Sequence, residues 1–296
     1  MQGAPAPGSA NPAINVKQNR ARPICRVRFP SDLTENLEKT MPLPKTVGRP
    51  SEWMVANQVD NHGARLKSRA ALNELQTCQC PGCTRRRTGI SRYCSTHKER
   101  ASSRGDPVCT RWPRRNELVI FKHAVDLYRQ ANPQFSESVA LGISELDRSH
   151  TPPPSFQLRY RDMHPKLPRV AKAKGLLANW VHRDGNAYSD CILHALAVIG
   201  WAEVFYDGLH ENRLAFIRTA AGSLLGDIRG PSTAGATLRY ATTGATKRHL
   251  GKAFVSHAET VYGKAFWSNA VTTQDGQSMT LLSYAKAALR VADLHP

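Results

Sequence analysis

A chain of 296 residues with 41 lysines and arginines against 23 acids carries a net charge of +18 and a sequence pI of about 10.0. That balance favours a polyanionic partner, DNA or RNA or an anionic membrane surface. No uninterrupted apolar stretch reaches the ~20 residues that span a bilayer, and residues 1–13 lack both the basic start and the apolar core of a secretory signal, so a cytoplasmic chain with reduced thiols is the expectation.

Residues 1–50 read as a disordered basic tail, because their low content of bulky apolar groups cannot offset the entropy of ordering. Within it, Cys25-Arg-Val-Arg-Phe29 alternates as a short strand or a basic arm would. Gly48-Arg49-Pro50 has the form of a minor-groove hook core, but Val47 stands where a preceding arginine is usual, and a helix-leading turn is the better reading. Ser51 and Glu52 predict a helix over 51–57, and a second over 64–75 should carry Leu66, Leu72 and Leu75 inward.

The next segment holds the most specific signal. Cys80-Pro-Gly-Cys83 and Cys94-Ser-Thr-His97 form a C-x2-C…C-x2-H pattern, two ligand pairs ten residues apart, which suits a tetrahedral Zn²⁺. Pro81 and Gly82 fit the tight turn between two thiolates, and Cys94 with His97 fits one face of a first helical turn. Between the pairs, 84–93 reads as two short strands around a turn near Gly89. Cys78 leaves an alternative open, since either it or Cys80 can partner Cys83. A redox pair would want a βαβ context, which is missing, and disulfides do not suit a reducing compartment. Four protein ligands would close the coordination sphere, making the metal a structural clip with no position for activated water.

From 78 to 115 ten basic residues face only Glu99 and Asp106. Of these, Arg85, Arg86, Arg87, Arg92, Lys98 and Arg100 are the candidate phosphate contacts. The domain scheme is thus a zinc-knuckle module with leading helices at 51–115, a helical segment at 116–148, a proline-rich basic linker at 149–169 and a helical domain at 170–296. Leu118, Phe121, Val125 and Tyr128 give an apolar face over 116–130, and 136–146 is a further helix. Beyond the linker, helices are predicted over 170–182, 189–209, 212–228, 246–263 and 278–293, with Asp190, Asn212 and Ser278 as initiating residues. The fold class is mainly α: a small treble-clef-like zinc module followed by a helical bundle.

Catalytic patterns are weak. Cys191 and His194 are placed for a nucleophile–base pair but lie among apolar neighbours, and His249 and His257 lack the H-E-x-x-H arrangement of helical zinc proteases. His182-Arg183-Asp184 imitates a kinase tripeptide without its context. Asp106 and the Asp162-Met-His164 set are the acids a nuclease would draw on, in no nuclease motif.

The run Cys80-Pro-Gly-Cys83…Arg92-Tyr93-Cys94-Ser-Thr-His97-Lys-Glu-Arg100, with Arg104-Gly105-Asp106-Pro107 after it, resembles small zinc knuckles of bacterial mobile-element and phage proteins, some fused to HNH-type endonucleases. It is also similar to a group of bacterial proteins in which such a knuckle precedes a helical region, with which 116–130 and Leu250-Gly251-Lys252 have features in common. The resemblance covers about 30 residues. It implies Cys80, Cys83, Cys94 and His97 as ligands and a DNA-related role, but the histidine–asparagine–histidine set of an HNH nuclease has no counterpart here. The expected function is therefore a zinc-stabilised, non-enzymatic nucleic-acid-binding protein, with DNA favoured over RNA. A metal-dependent nuclease and a zinc-stabilised protein–protein adaptor are the alternatives, and the helical region is the expected surface for a protein partner or for self-association.

Overall fold

The computed structural model describes residues 52–159, 167–226, 228–231, 237–240, 242–272 and 277–294. The expected tail, its 25–29 strand, the Gly48-Arg49-Pro50 turn, Ser51 and the Asp162/His164 pair lie outside the described residues. Contacts divide the chain into two units. One, the hairpin unit, holds the described residues up to Gln79 together with Cys83–Cys94; the other, the helical unit, holds Cys80–Gly82 and everything from Ser95 onward.

In the hairpin unit, one continuous helix, α1 (Glu52–Glu74), replaces the two expected over 51–57 and 64–75. It runs through Gly63, which costs about 1 kcal/mol relative to alanine in a helix interior. The expectation that its leucines point inward fails: Leu66 is 38% exposed, Leu72 66% and Leu75 69%. Their spacing matches a helical face, but a face becomes a core only when another element covers it. After α1 the chain reverses twice. Thr77 bridges Arg86 antiparallel, the Cys78 amide donates to Arg85 O at 2.8 Å and the Gln79 amide to Arg92 O at 3.1 Å. A turn does fall at Gly89, closed by Thr88 N–H to Tyr93 O at 3.1 Å, yet 84–93 forms no regular strands. The pairing brackets the Pro81-Gly82 turn instead.

The helical unit is built from α2 (Ser95–Arg104), α3 (Arg115–Ala131), α4 (Pro133–His150), α5 (Arg169–Ala178), α6 (Tyr188–Phe205), α7 (Arg213–Ala221), α8 (Gly244–Tyr262) and α9 (Leu281–Val291). Two antiparallel ribbons accompany them: β1 (Ile228–Pro231) with β2 (Thr237–Tyr240), and β3 (Ala270–Thr272) with β4 (Ser278–Thr280). Ser278 therefore opens a strand, and Thr280 is the cap of α9, its hydroxyl accepting from the Ser283 amide at 3.1 Å. The mainly helical expectation is met.

α6 is the centre. It is apolar on every side, as a helix enclosed by others must be, and Cys191, Ile192, Ala195, Val198 and Trp201 are wholly buried. By length and composition this same helix is long and apolar enough to cross a membrane, but 67% of it is buried inside the unit. α3 packs on it through Phe121 and Val125, and α7 and α8 close the other side with Phe216, Leu250 and Phe254. α7 and α8 touch backbone to backbone: a Cβ on Gly251 would collide with the Arg218 carbonyl and approach the Gly222 amide. That close crossing is the physical content of the glycine in Leu250-Gly251-Lys252.

Several buried polar groups in this core are paired, although the Nε atoms of Arg129 and Arg218 are buried without a hydrogen-bond partner among the described residues. Glu117, 1% exposed, accepts from Trp201 Nε1 at 2.7 Å, from Arg111 at 3.0 Å and from the Arg114 amide at 3.1 Å, so one carboxylate starts α3 and ties it to α6. The described part of the proline-rich 149–169 stretch is held too. Asn179 accepts from the Leu158 amide at 3.1 Å and donates back to its carbonyl at 2.8 Å, and His182 bonds Pro152 O at 2.7 Å.

Candidate metal centre and its basic hairpin

The ligand atoms of Cys78, Cys83, Cys94 and His97 all lie within 4.8 Å of one another. Three of these four are the residues expected from sequence; the fourth is Cys78, and Cys80 is outside the cluster. Bends at Gln79 and Cys80 account for the exchange. They break the extended alternation that would otherwise keep residues i and i+2 on one side. The Cys78–Arg85 hydrogen bond instead fixes Cys78 beside the returning segment that follows Cys83. Cys80 is itself 4% exposed, which makes it a packed thiol of the knuckle turn. The spacing of Cys78 and Cys83, with four residues between them, lies within the range zinc ligands adopt, as does that of Cys80 and Cys83, so spacing alone does not choose between them.

Each ligand has a local reason for its place. Gly82 takes a φ of 70°, the left-handed region that lets the chain turn between Cys78 and Cys83 without Cβ strain. Cys94 immediately precedes α2, and His97 falls in that helix's first turn. The Cys94 amide donates to Cys78 Sγ at 3.3 Å, the kind of N–H···S bond that orients a metal-bound thiolate.

The distances fit a tetrahedral cation. Cys83 Sγ and Cys94 Sγ are 4.0 Å apart. Thiolates ~2.3 Å from a tetrahedral zinc have S···S edges of ~3.8 Å, whereas a disulfide bond is ~2.05 Å. The donor set, three soft thiols and one imidazole, is that of structural zinc sites. At Cys83 the Arg85 backbone amide pulls the thiol pKa down, but burial and the adjoining Cys78 and Cys94 thiols outweigh it, and the net shift is upward. Crowded thiols resist ionising side by side; a divalent cation among them reverses that preference.

Around this cluster the six candidate basic contacts separate. Arg85, Arg86 and Arg92 are exposed on the hairpin, the Arg92 guanidinium lying 5.7 Å from the Tyr93 ring centroid. Lys98 is exposed on α2 and Arg100 half-buried there. Arg87 is occupied within the unit: Nε donates to Thr77 O at 2.8 Å, and NH1 to Asn73 Oδ1 at 3.1 Å and to the Gln76 side chain. With Asn73 Nδ2 donating to Gly89 O at 2.7 Å and Ser91 O at 2.6 Å, Arg87 fastens the hairpin to the end of α1. A polar clamp of this kind, invisible to periodicity, was missed by sequence reasoning.

Asp106, Cys191 and His257, considered for catalysis from sequence, are engaged otherwise. Asp106 is fully buried and accepts from the amides of Val108 at 2.6 Å, Cys109 at 2.9 Å and Leu209 at 3.0 Å, and from the Tyr206 hydroxyl. It staples the loop after α2 to the loop after α6. Burial pushes the Cys191 thiol upward in pKa, and no hydrogen bond joins it to His194 among the described residues. Tyr188 Oη and His257 Nδ1 are 2.8 Å apart.

Comparison with family models, with curated proteins and with solved structures finds no match to this chain.

Proposed function

We propose that the protein binds duplex DNA through a zinc-pinned basic hairpin. Cys78, Cys83, Cys94 and His97 would hold the zinc, which supplies rigidity alone because all four positions of a tetrahedral ion are taken by protein. The observation that carries the proposal is the division of labour among the arginines: Arg87 is consumed in fixing the hairpin, while Arg85, Arg86 and Arg92 remain exposed on it. A basic loop stiffened by metal presents its charges without a large ordering cost on binding. Knuckle turn, hairpin and ligand-bearing helix follow one another in the order of a treble clef. The resemblance to knuckles of mobile-element and phage proteins supports a DNA-related role in a reducing compartment.

Fluorescence anisotropy with a labelled duplex tests this. Affinity should fall steeply as salt rises from about 50 to 200 mM, since each phosphate contact releases counterions. The triple substitution Arg85→Ala, Arg86→Ala, Arg92→Ala should weaken binding equally across sequences and flatten the salt slope by about 3. Binding that ignores salt, or a triple variant with wild-type affinity, rules the proposal out.

A further inference from the structure

The helical unit contains a cavity of about 500 Å³ that the hairpin does not form, lined by Trp112, Arg115, Val119, Lys122, Trp180 and His194 among others. Such a volume is in the range of small-molecule sites. Two indoles belong to it, both held in place and both only partly buried. Trp112 packs edge-on against Phe216 with centroids 5.4 Å apart, and Trp180 Nε1 donates to Ala187 O at 3.4 Å. Rigid aromatic faces of this kind are what a planar ring stacks on, at little ordering cost. The charges lining the cavity are all cationic: Arg115 is exposed, Lys122 half-buried, and no Asp or Glu is among the lining residues.

His194 supplies a polar group below the rim. It is 7% exposed, and its Nε2 lies 3.4 Å from Ala220 O. Burial, reinforced by the Lys122 charge, lowers its pKa to about 4, so the ring is neutral near pH 7. With the proton on Nε2 facing a carbonyl, Nδ1 carries a lone pair and is a hydrogen-bond acceptor. The cavity therefore joins aromatic walls, two cations and one buried acceptor.

We infer that this cavity takes a single nucleotide unit, its base stacked against Trp112 or Trp180 with an amino group toward His194 and its phosphate at Arg115 and Lys122. Each part of the ligand answers a feature of the site: the planar base the indoles, the anion the cations on the lining, the base's donor the imidazole. A lipid or other purely apolar ligand would leave both cations and the imidazole unanswered, and a bare anion would leave the indoles unused. The unit is either a free nucleotide or one residue splayed from a single strand. This inference goes beyond the hairpin reading and uses none of its residues.

Tryptophan fluorescence of the full chain tests it, with adenosine 5′-monophosphate and a single-stranded decamer of deoxyadenosine as probes and inorganic phosphate as control. Saturable quenching by the monophosphate is expected, with none from inorganic phosphate. The double substitution Arg115→Glu, Lys122→Glu, in protein whose far-UV circular dichroism matches the wild type, should weaken it about tenfold or more, as loss of a charge-assisted contact does; Arg115→Gln alone, at an exposed position, should weaken it in the same direction. Quenching by both probes assigns the site to free nucleotides as well as strands, and quenching by the decamer alone assigns it to strands. No quenching by either, or quenching unchanged in the double variant, overturns the inference. The Arg85→Ala, Arg86→Ala, Arg92→Ala protein separates the two readings: it should lose duplex binding while keeping the monophosphate response. Duplex binding intact in that protein would defeat the hairpin proposal and leave the cavity standing.

Discussion

The hairpin unit and the helical unit are held by different physics. Among the described residues of the first, only Cys78 and Cys94 are buried, and both are candidate ligands. The second encloses a continuous apolar core around α6, from Leu118 and Phe121 through Trp201 to Leu281 and Leu289. A segment that small removes little apolar area from water to offset its conformational entropy, and the metal proposed for its Cys/His cluster would do what a core does elsewhere. The consequence is a sharp contrast in what each unit tolerates. The helical unit should be sensitive to lost methylenes and indifferent to metal; the hairpin unit should be the reverse.

The largest expected effect is on the apolar side of that contrast. Phe121 is fully buried between α6 and the Trp267 ring, 5.5 Å away centroid to centroid. Phe121→Ala should lower the stability of the helical unit by about 3–5 kcal/mol in urea unfolding while metal content stays at the wild-type level. Metal loss in that variant would show that the two units are not independently held.

Acid offers the next test. The folded pKa of His194, about 4, lies below the unfolded value of about 6.5. Between these values the unfolded chain binds the proton and the folded chain does not, so stability rises with pH across that window and is fully present above it. On falling from pH 6.5 to 4 the helical unit should lose roughly 3 kcal/mol from this residue. His194→Gln should flatten the profile measured by urea midpoints, and an unchanged slope would contradict the assignment.

The smallest effect belongs to α1. Because Leu72 is 66% exposed, Leu72→Ser should change stability by no more than about 0.5 kcal/mol. A large loss would mean that α1 has a covered face after all.

Sequence patterning was informative where one local rule decides the outcome. The apolar repeat of 116–130 corresponds to α3, and the apolar-rich run after Asp190 to α6, because burial leaves a direct mark on residue order. The same rule misled at α1, where Leu66, Leu72 and Leu75 have the spacing of a face and are exposed among the described residues. Three of the four clustered ligands were legible from spacing, since a tetrahedral ion restricts which residue pairs can meet. The fourth was not, because the choice between Cys78 and Cys80 rests on the bend at 79–80 and the Cys78–Arg85 hydrogen bond, both set by pairing across the hairpin. Arg87 shows the same limit: its composition matches a phosphate contact, and only the positions of Asn73, Gln76 and Thr77 make it a clamp. The tryptophan-lined cavity depends on residues 112, 180 and 194 meeting across three separate segments, which no local pattern encodes.

The proposed zinc, one ion per chain, would be held by Cys78 with Cys83, Cys94 and His97. Elemental analysis of Cys78→Ser and Cys80→Ser, each purified beside the wild-type protein, tests it most directly. One zinc in the wild type and in Cys80→Ser, with loss from Cys78→Ser, is the predicted result; zinc retained in Cys78→Ser and lost from Cys80→Ser would contradict it.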